Sequence, residues 1–105
     1  MVTMQDALDY LGIDETDEVI ERRVQKAMKS GEAMMRGAVG DDVEKYLPGD
    51  PRIDDLVLYF TGEAYDDRWG SQKQASARSR HAQDLELQLK AELRRAKAVA
   101  GGDSV

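Results

Sequence analysis

The chain has 105 residues, a formal net charge of −6 at pH 7, a single histidine and no cysteine. That length supports one domain with a modest core. The missing cysteines exclude a disulfide framework and a cysteine-based zinc site, and the acidic balance argues against a nucleic-acid binder with a basic contact face.

The first predicted element is a short helix. Thr3 and Asp6 stand as the two halves of a capping box, Leu8 and Leu11 point inward, and Gly12 ends the helix. Asp14-Glu15-Thr16-Asp17 supplies a second N-terminus, with carboxylates at the positive end of the helix dipole. The following helix is long. Val19, Ile20, Val24, Ala27, Met28, Gly31, Met35 and Ala38 recur at steps of three and four, while Glu21, Arg22, Gln25, Lys29, Glu32 and Arg36 cover the other side. Glu18/Arg22 and Glu32/Arg36 are expected as i,i+4 ion pairs. Gly37 and Gly40 bracket its end, Asp41-Asp42 begins a short turn through Val43, Tyr46 and Leu47, and Leu47-Pro48-Gly49 is a firm break.

Residues 50–69 are the most informative stretch. Asp50 is an N-cap and Pro51 the first helical residue, where a fixed φ and a missing N–H cost nothing. Ile53, Leu56, Val57, Phe60 and Ala64 form one apolar stripe, and Leu58, Tyr65 and Trp69 form a second. A helix apolar on two sides is packed on two sides, so this is the central element, with Phe60 expected among its most buried side chains. No run of period-two alternation long enough for a strand precedes residue 70. Residues 70–81 hold no large apolar side chain and read as an exposed loop or a solvated extension, with Ser71 and Gln74 the alternative of a helix cap. From Ala82 a stripe returns as Leu85, Leu89, Leu93 and Ala96, with Leu87 off it and Lys90, Arg94, Arg95 and Lys97 toward the C-terminal end. Gly101 to Val105 read as a flexible tail.

The expected fold is therefore all-α: a small helical bundle (residues 1–70) with a long second helix and a buried central helix, then a polar linker, a C-terminal amphipathic helix and a tail (residues 71–105). Residues 1–70 carry a net charge of −9 and residues 71–105 a net charge of +3. Such asymmetry serves two surfaces with different partners, or subunits that pair acidic body to basic tail; it also arises where both surfaces are merely solvated.

No pattern in the chain carries catalysis, a cofactor or a metal. His81 lacks a second histidine or a cysteine to share a metal with and reads as a solvated side chain. Asp41/Asp42, Asp54/Asp55 and Asp66/Asp67 are sequence neighbours, which point about 100° apart on a helix and do not converge on one atom. Caps and solvated faces account for them. Gly37-Ala38-Val39-Gly40 lacks the Gly-Lys-Ser/Thr ending of a phosphate loop. Met28, Met34 and Met35 have two readings, a permissive binding surface or core filling, of which core filling is the commoner use. Arg68 and Trp69 have two readings: anchors at a subunit contact, where both types are enriched, or a tryptophan closing the core while Arg68 pairs with Asp66 or Asp67. The longest apolar run, Leu56 to Phe60, is far short of a membrane span. The opening residues, with Asp6 and Asp9 and no basic stretch, do not read as a secretory signal. A cytosolic protein is the expectation.

The order of elements resembles the small head–tail connector (head-completion adaptor) family of long-tailed bacteriophages and prophages. The resemblance rests on the leucine-containing first helix and its turn, Ala7-Leu8-Asp9-Tyr10-Leu11-Gly12-Ile13-Asp14, and on the acidic stretch and long helix from Glu15 to Ala38. It rests also on the apolar run Leu56-Val57-Leu58-Tyr59-Phe60 leading to Ala64-Tyr65-Asp66-Asp67-Arg68. It covers about residues 4–69 and is one of pattern and length. After Trp69 the chain departs from it: relatives carry a proline-bearing loop where this chain has a proline-free polar linker, although Leu85 to Arg95 resembles their leucine-rich, arginine-terminated ending.

The resemblance implies a non-enzymatic protomer of a ring, a dodecamer in the virion, sitting beneath the portal protein, extending the DNA channel and docking the next head-completion or tail protein. DNA would pass without specific binding, no membrane would take part, and the protein would sit at the virion head–tail junction, and in host cytoplasm during assembly. The interface candidates are Tyr65, Arg68, Trp69, Leu85, Leu89, Leu93, Arg94 and Arg95; the stripe of the last helix must be buried on its own bundle, a neighbouring subunit or the portal, and is expected at least partly against a neighbour or the portal. The competing reading is a small helical regulatory or adaptor protein that dimerises through its C-terminal helix.

Overall fold

The computed structural model describes residues 1–69 and 76–102. Five helices are present among them and no strand: α1 (Met4–Leu11), α2 (Glu18–Val39), α3 (Val43–Tyr46), α4 (Pro51–Arg68) and α5 (Ser76–Gly102). Local chemistry sets most of the boundaries. The Thr3 hydroxyl accepts from the Asp6 N–H, and the Asp6 carboxylate accepts from the Thr3 N–H, which closes the capping box of α1. Gly12 ends that helix at φ +74°, a left-handed conformation that any Cβ would strain. Asp17 caps α2 by accepting from the Ile20 N–H, and Asp50 caps α4 ahead of Pro51 at the first helical position.

The axis of the molecule is the antiparallel pair α2 and α4. Their closest approach is at Gly31, where an added methyl would collide with the Thr61 side chain and stand 2.8 Å from the Thr61 nitrogen and 2.9 Å from the Val57 carbonyl oxygen. Only a residue without a side chain lets the two backbones meet this closely. The core divides on either side of this crossing. A smaller cluster joins Ala7 and Leu8 of α1 to Val24 of α2, with Leu58 and Tyr65 of α4 packed on it. A larger one joins Met35, Val39, Val43, Ile53, Leu56 and Val57 to Ala82, Leu85, Leu89 and Leu93 of α5. Leu58 touches both clusters, so α4 is packed on two sides, as its double stripe requires.

Five expectations need correction. Met34, read as core filling, is 41% exposed. Phe60 is only half-buried, packed against the rim of the larger cluster; the centre of α4 is occupied by Leu56 and Thr61, both fully buried. Val19 is half-exposed, although it keeps step with the α2 stripe, while Val39 completes the buried face. The polar run before Ala82 is helical from Ser76 onward, because a stretch without glycine or proline prolongs a helix that packing has already nucleated. The same helix continues to Gly102, into the segment read as tail. The possible cap at Ser71 and Gln74, Gly70 and the last residues of the tail lie outside the described residues.

Candidate interface site

The last turn of α4 presents an aromatic and cationic cluster. Tyr65 and Trp69 are i,i+4 neighbours, so their rings meet, with centroids 5.4 Å apart at an interplanar angle of 55°. The Trp69 N–H donates to the Tyr65 carbonyl at 2.8 Å, which fixes the residue as the helix cap. The guanidinium carbon of Arg68 lies 5.8 Å from the Trp69 ring centroid and that of Arg23 lies 5.6 Å from it. Both are within cation–π range. Arg68 makes no ion pair with Asp66 or Asp67 among the described residues. Trp69 is half-buried, with Tyr65 beneath it packed on the smaller cluster. Of the two readings of Arg68 and Trp69, the pairing that would have tied Arg68 down is missing, and the cluster faces outward in part.

Arg23 has no distinguishing mark in the sequence. It is brought to Trp69 by the register of α2 on α4: eight residues back from Gly31 and eight forward from Thr61 give Arg23 and Trp69. The glycine in the α2 stripe is the one local sign of that register.

Leu85, Leu89 and Leu93 pack on the chain's own bundle. They are at most 6% exposed and lie in the larger core cluster, which corrects their placement against a neighbour or the portal. α2 and α4 together leave an apolar trough of Met35, Val39, Ile53, Leu56 and Val57, and a stripe on the same chain reaches it at an effective concentration that a separate partner rarely matches. Arg94 and Arg95, by contrast, are exposed. The eight candidates thus fall into three groups: Tyr65, Arg68 and Trp69 together at the end of α4, three leucines in the core, and two arginines on the outer face of α5.

Polar contacts fasten α5 to the bundle. Arg52 donates to both carboxylate oxygens of Glu92, from Nη1 at 2.8 Å and Nη2 at 2.7 Å, and to the Gln88 side-chain oxygen at 3.2 Å. It also donates to the cap residue Asp50, from Nε at 3.0 Å and Nη2 at 2.6 Å. Hydrogen bonds from Arg52 hold the Asp50 and Glu92 carboxyls below their ordinary range, and the two carboxylates raise Arg52 in turn. Near the C-terminal end of α5, Lys97 pairs with Asp42 at 2.9 Å, lowering the Asp42 carboxyl and raising the lysine. Arg36 turns to Glu44 at 2.8 Å instead of to Glu32, and Glu18 and Arg22 form no ion pair among the described residues. Arg52 and Asp42 give no sign in the sequence of these long-range partners.

His81 lines an open groove of about 400 Å³ with Tyr10, Asp55, Leu58, Tyr59, Ala82 and Leu85. Among the described residues no group of three or more histidine, cysteine or carboxylate side chains is placed to hold a metal, and no helix is long and apolar enough to cross a membrane.

Compared with protein-family models, with curated proteins and with solved structures, the chain matches none of them.

Proposed function

We propose that the chain is a structural adaptor of a phage head–tail junction, a non-enzymatic protomer that assembles as a ring under a portal protein, extends the DNA channel and docks the next head-completion or tail protein. The observation that carries this reading is the end of α4. Tyr65 and Arg68, which belong to the pattern shared with head–tail connectors, stand there with Trp69 and Arg23 as a partly exposed cluster of the residue types that anchor protein contacts.

The charge distribution supports it further. A ring needs head-to-tail contacts between unlike surfaces, and the acidic body and net-basic C-terminal segment are unlike in that sense. A channel that DNA must traverse is better lined by carboxylates than by phosphate-gripping cations, so a −6 chain is compatible where a strongly basic one is not. The test joins the identity of the neighbouring genes to reconstitution with a portal protein found among them, read by electron microscopy. A ring seated on the portal is expected from the unaltered chain, and its loss from Trp69→Ala or Arg68→Ala with the monomer still folded. A chain that never binds a portal, and whose neighbouring genes encode no portal or capsid protein, overturns the proposal.

A further inference from the structure

With Leu85, Leu89 and Leu93 facing the core, the opposite face of α5 carries a second seam: Arg80, Asp84, Leu87, Ala91, Arg94 and Ala98. Their spacing alternates four and three, the interval that keeps one line of residues facing a partner helix. All six are exposed, and Leu87 is 66% exposed, one of the largest apolar side chains left in solvent. Asp84 and Arg94 hold no ion pair within the chain among the described residues.

The seam is complementary to itself when reversed. A two-fold axis midway between Leu87 and Ala91 sets Asp84 against Arg94 of a second copy, Leu87 against Ala91 and Arg80 against Ala98, each pair occurring twice. Unlike charges meet at Asp84, the large side chain meets a small one at Leu87, and the aliphatic stem of Arg80 lies along an alanine. We infer that this face of α5 is a homodimer contact in which two copies pair their last helices antiparallel. The partner is a second copy because Asp84 and Arg94 exchange places when the seam is reversed, so each acid faces a base, while Arg80 falls opposite the uncharged Ala98. The contact is isologous, unlike the head-to-tail contact of a ring, so it goes beyond the adaptor reading and stands without it. Lys90 flanks the axis and meets its own copy there. Together with the shortness of the seam, this places the association among weak, small interfaces.

Sedimentation or light scattering over a concentration series reads it directly. The unaltered chain, 11.7 kDa as a monomer, is expected to rise toward twice that mass with concentration, and less so in high salt. Asp84→Arg and Arg94→Asp should each stay monomeric, with helicity and melting unchanged because both sites are exposed. An equimolar mixture of the two single variants should dimerise again, since each copy then offers what the other lacks, and the double swap should dimerise alone. A chain monomeric at every concentration overturns the inference. So do single variants that dimerise as before, singles whose mixture stays monomeric, or an assembly that passes two copies without pausing. The portal is absent from all of these measurements, so their failure leaves the adaptor reading untouched.

Discussion

Thr61 puts a hydroxyl in the middle of the core with no hydrogen-bond partner, the one such side-chain atom among the described residues. A lost solvent bond of this kind costs about 1–3 kcal/mol, comparable to what the rest of a small buried side chain contributes. Thr61→Ala is therefore expected to be near neutral, within about 1 kcal/mol, as checked by chemical denaturation. Gly31→Ala should cost about 1–3 kcal/mol or more. Thr61→Ala in that background should recover only part of the loss, because the Thr61 nitrogen and the Val57 carbonyl remain in the way. Full recovery would mean that the side chain alone sets the spacing. Burial also reorders the expected costs along α4. Leu56→Ala should cost about 2–5 kcal/mol, and half-buried Phe60→Ala should cost less than Leu56→Ala. Sequence alone does not rank these two: both sit on the same stripe, and only the position of α5 decides which of them is covered.

At the scale of elements, what is legible in the sequence is what is local. The Thr3–Asp6 box, the left-handed Gly12 and the Asp50-Pro51 start of α4 each depend on residues within a few positions, and each is in place. The start of α5 and the contacts of Arg52, Arg23 and Lys97 depend on what lies across the bundle, and no local pattern announces them. The α5 stripe is plainly apolar in the sequence, yet the surface that covers it is not the expected one, since a stripe says that it must be buried and not against what. A chain ending at Trp69 exposes the trough under Leu85, Leu89 and Leu93, and circular dichroism should show it largely unfolded or melting far lower. The polar contacts that fasten α5 to the bundle give a pH signature. Asp50, Glu92 and Asp42 have carboxyls lowered from 3.8, 4.5 and 3.8 respectively. Their contribution is present above those values and is lost as pH falls through the lowered ones. Thermal melts should hold from pH 7 to about 5 and fall below about 4. Arg52→Met should flatten that acid limb by removing the group that lowers Asp50 and Glu92.

Seen whole, the molecule is long and thin, with principal extents of 54 × 27 × 18 Å. α5 alone spans about 40 Å at 1.5 Å per residue. The outward-facing interface candidates are spread along that length: the Trp69 cluster at one end of the α2–α4 pair, and Arg94 and Arg95 toward the other, where α5 runs beside α3. If the protein is a ring protomer, substitutions at these two ends should both abolish assembly while leaving the melting temperature of the monomer in place. A change at one end that lowers stability instead would assign that end to the fold and not to a partner.

The crossing at Gly31 has a mechanical consequence. At Gly31 only the short Thr61 side chain and the backbone of α4 face the α2 backbone, so little soft matter remains to be squeezed there and the helices are expected to rock about that point. Such a point is a fulcrum. Trp69 and Arg23 sit on one arm, and Val39, Ile53 and the clamp of Arg52 sit on the other. A force that levers α2 and α4 apart at the tryptophan should press them together at the Val39–Ile53 end, where Arg52 also ties α4 to α5, so a partner seated at Trp69 is expected to be felt there through the stiffness of two helices. Amide exchange near Arg52 should slow when the Trp69 end is engaged.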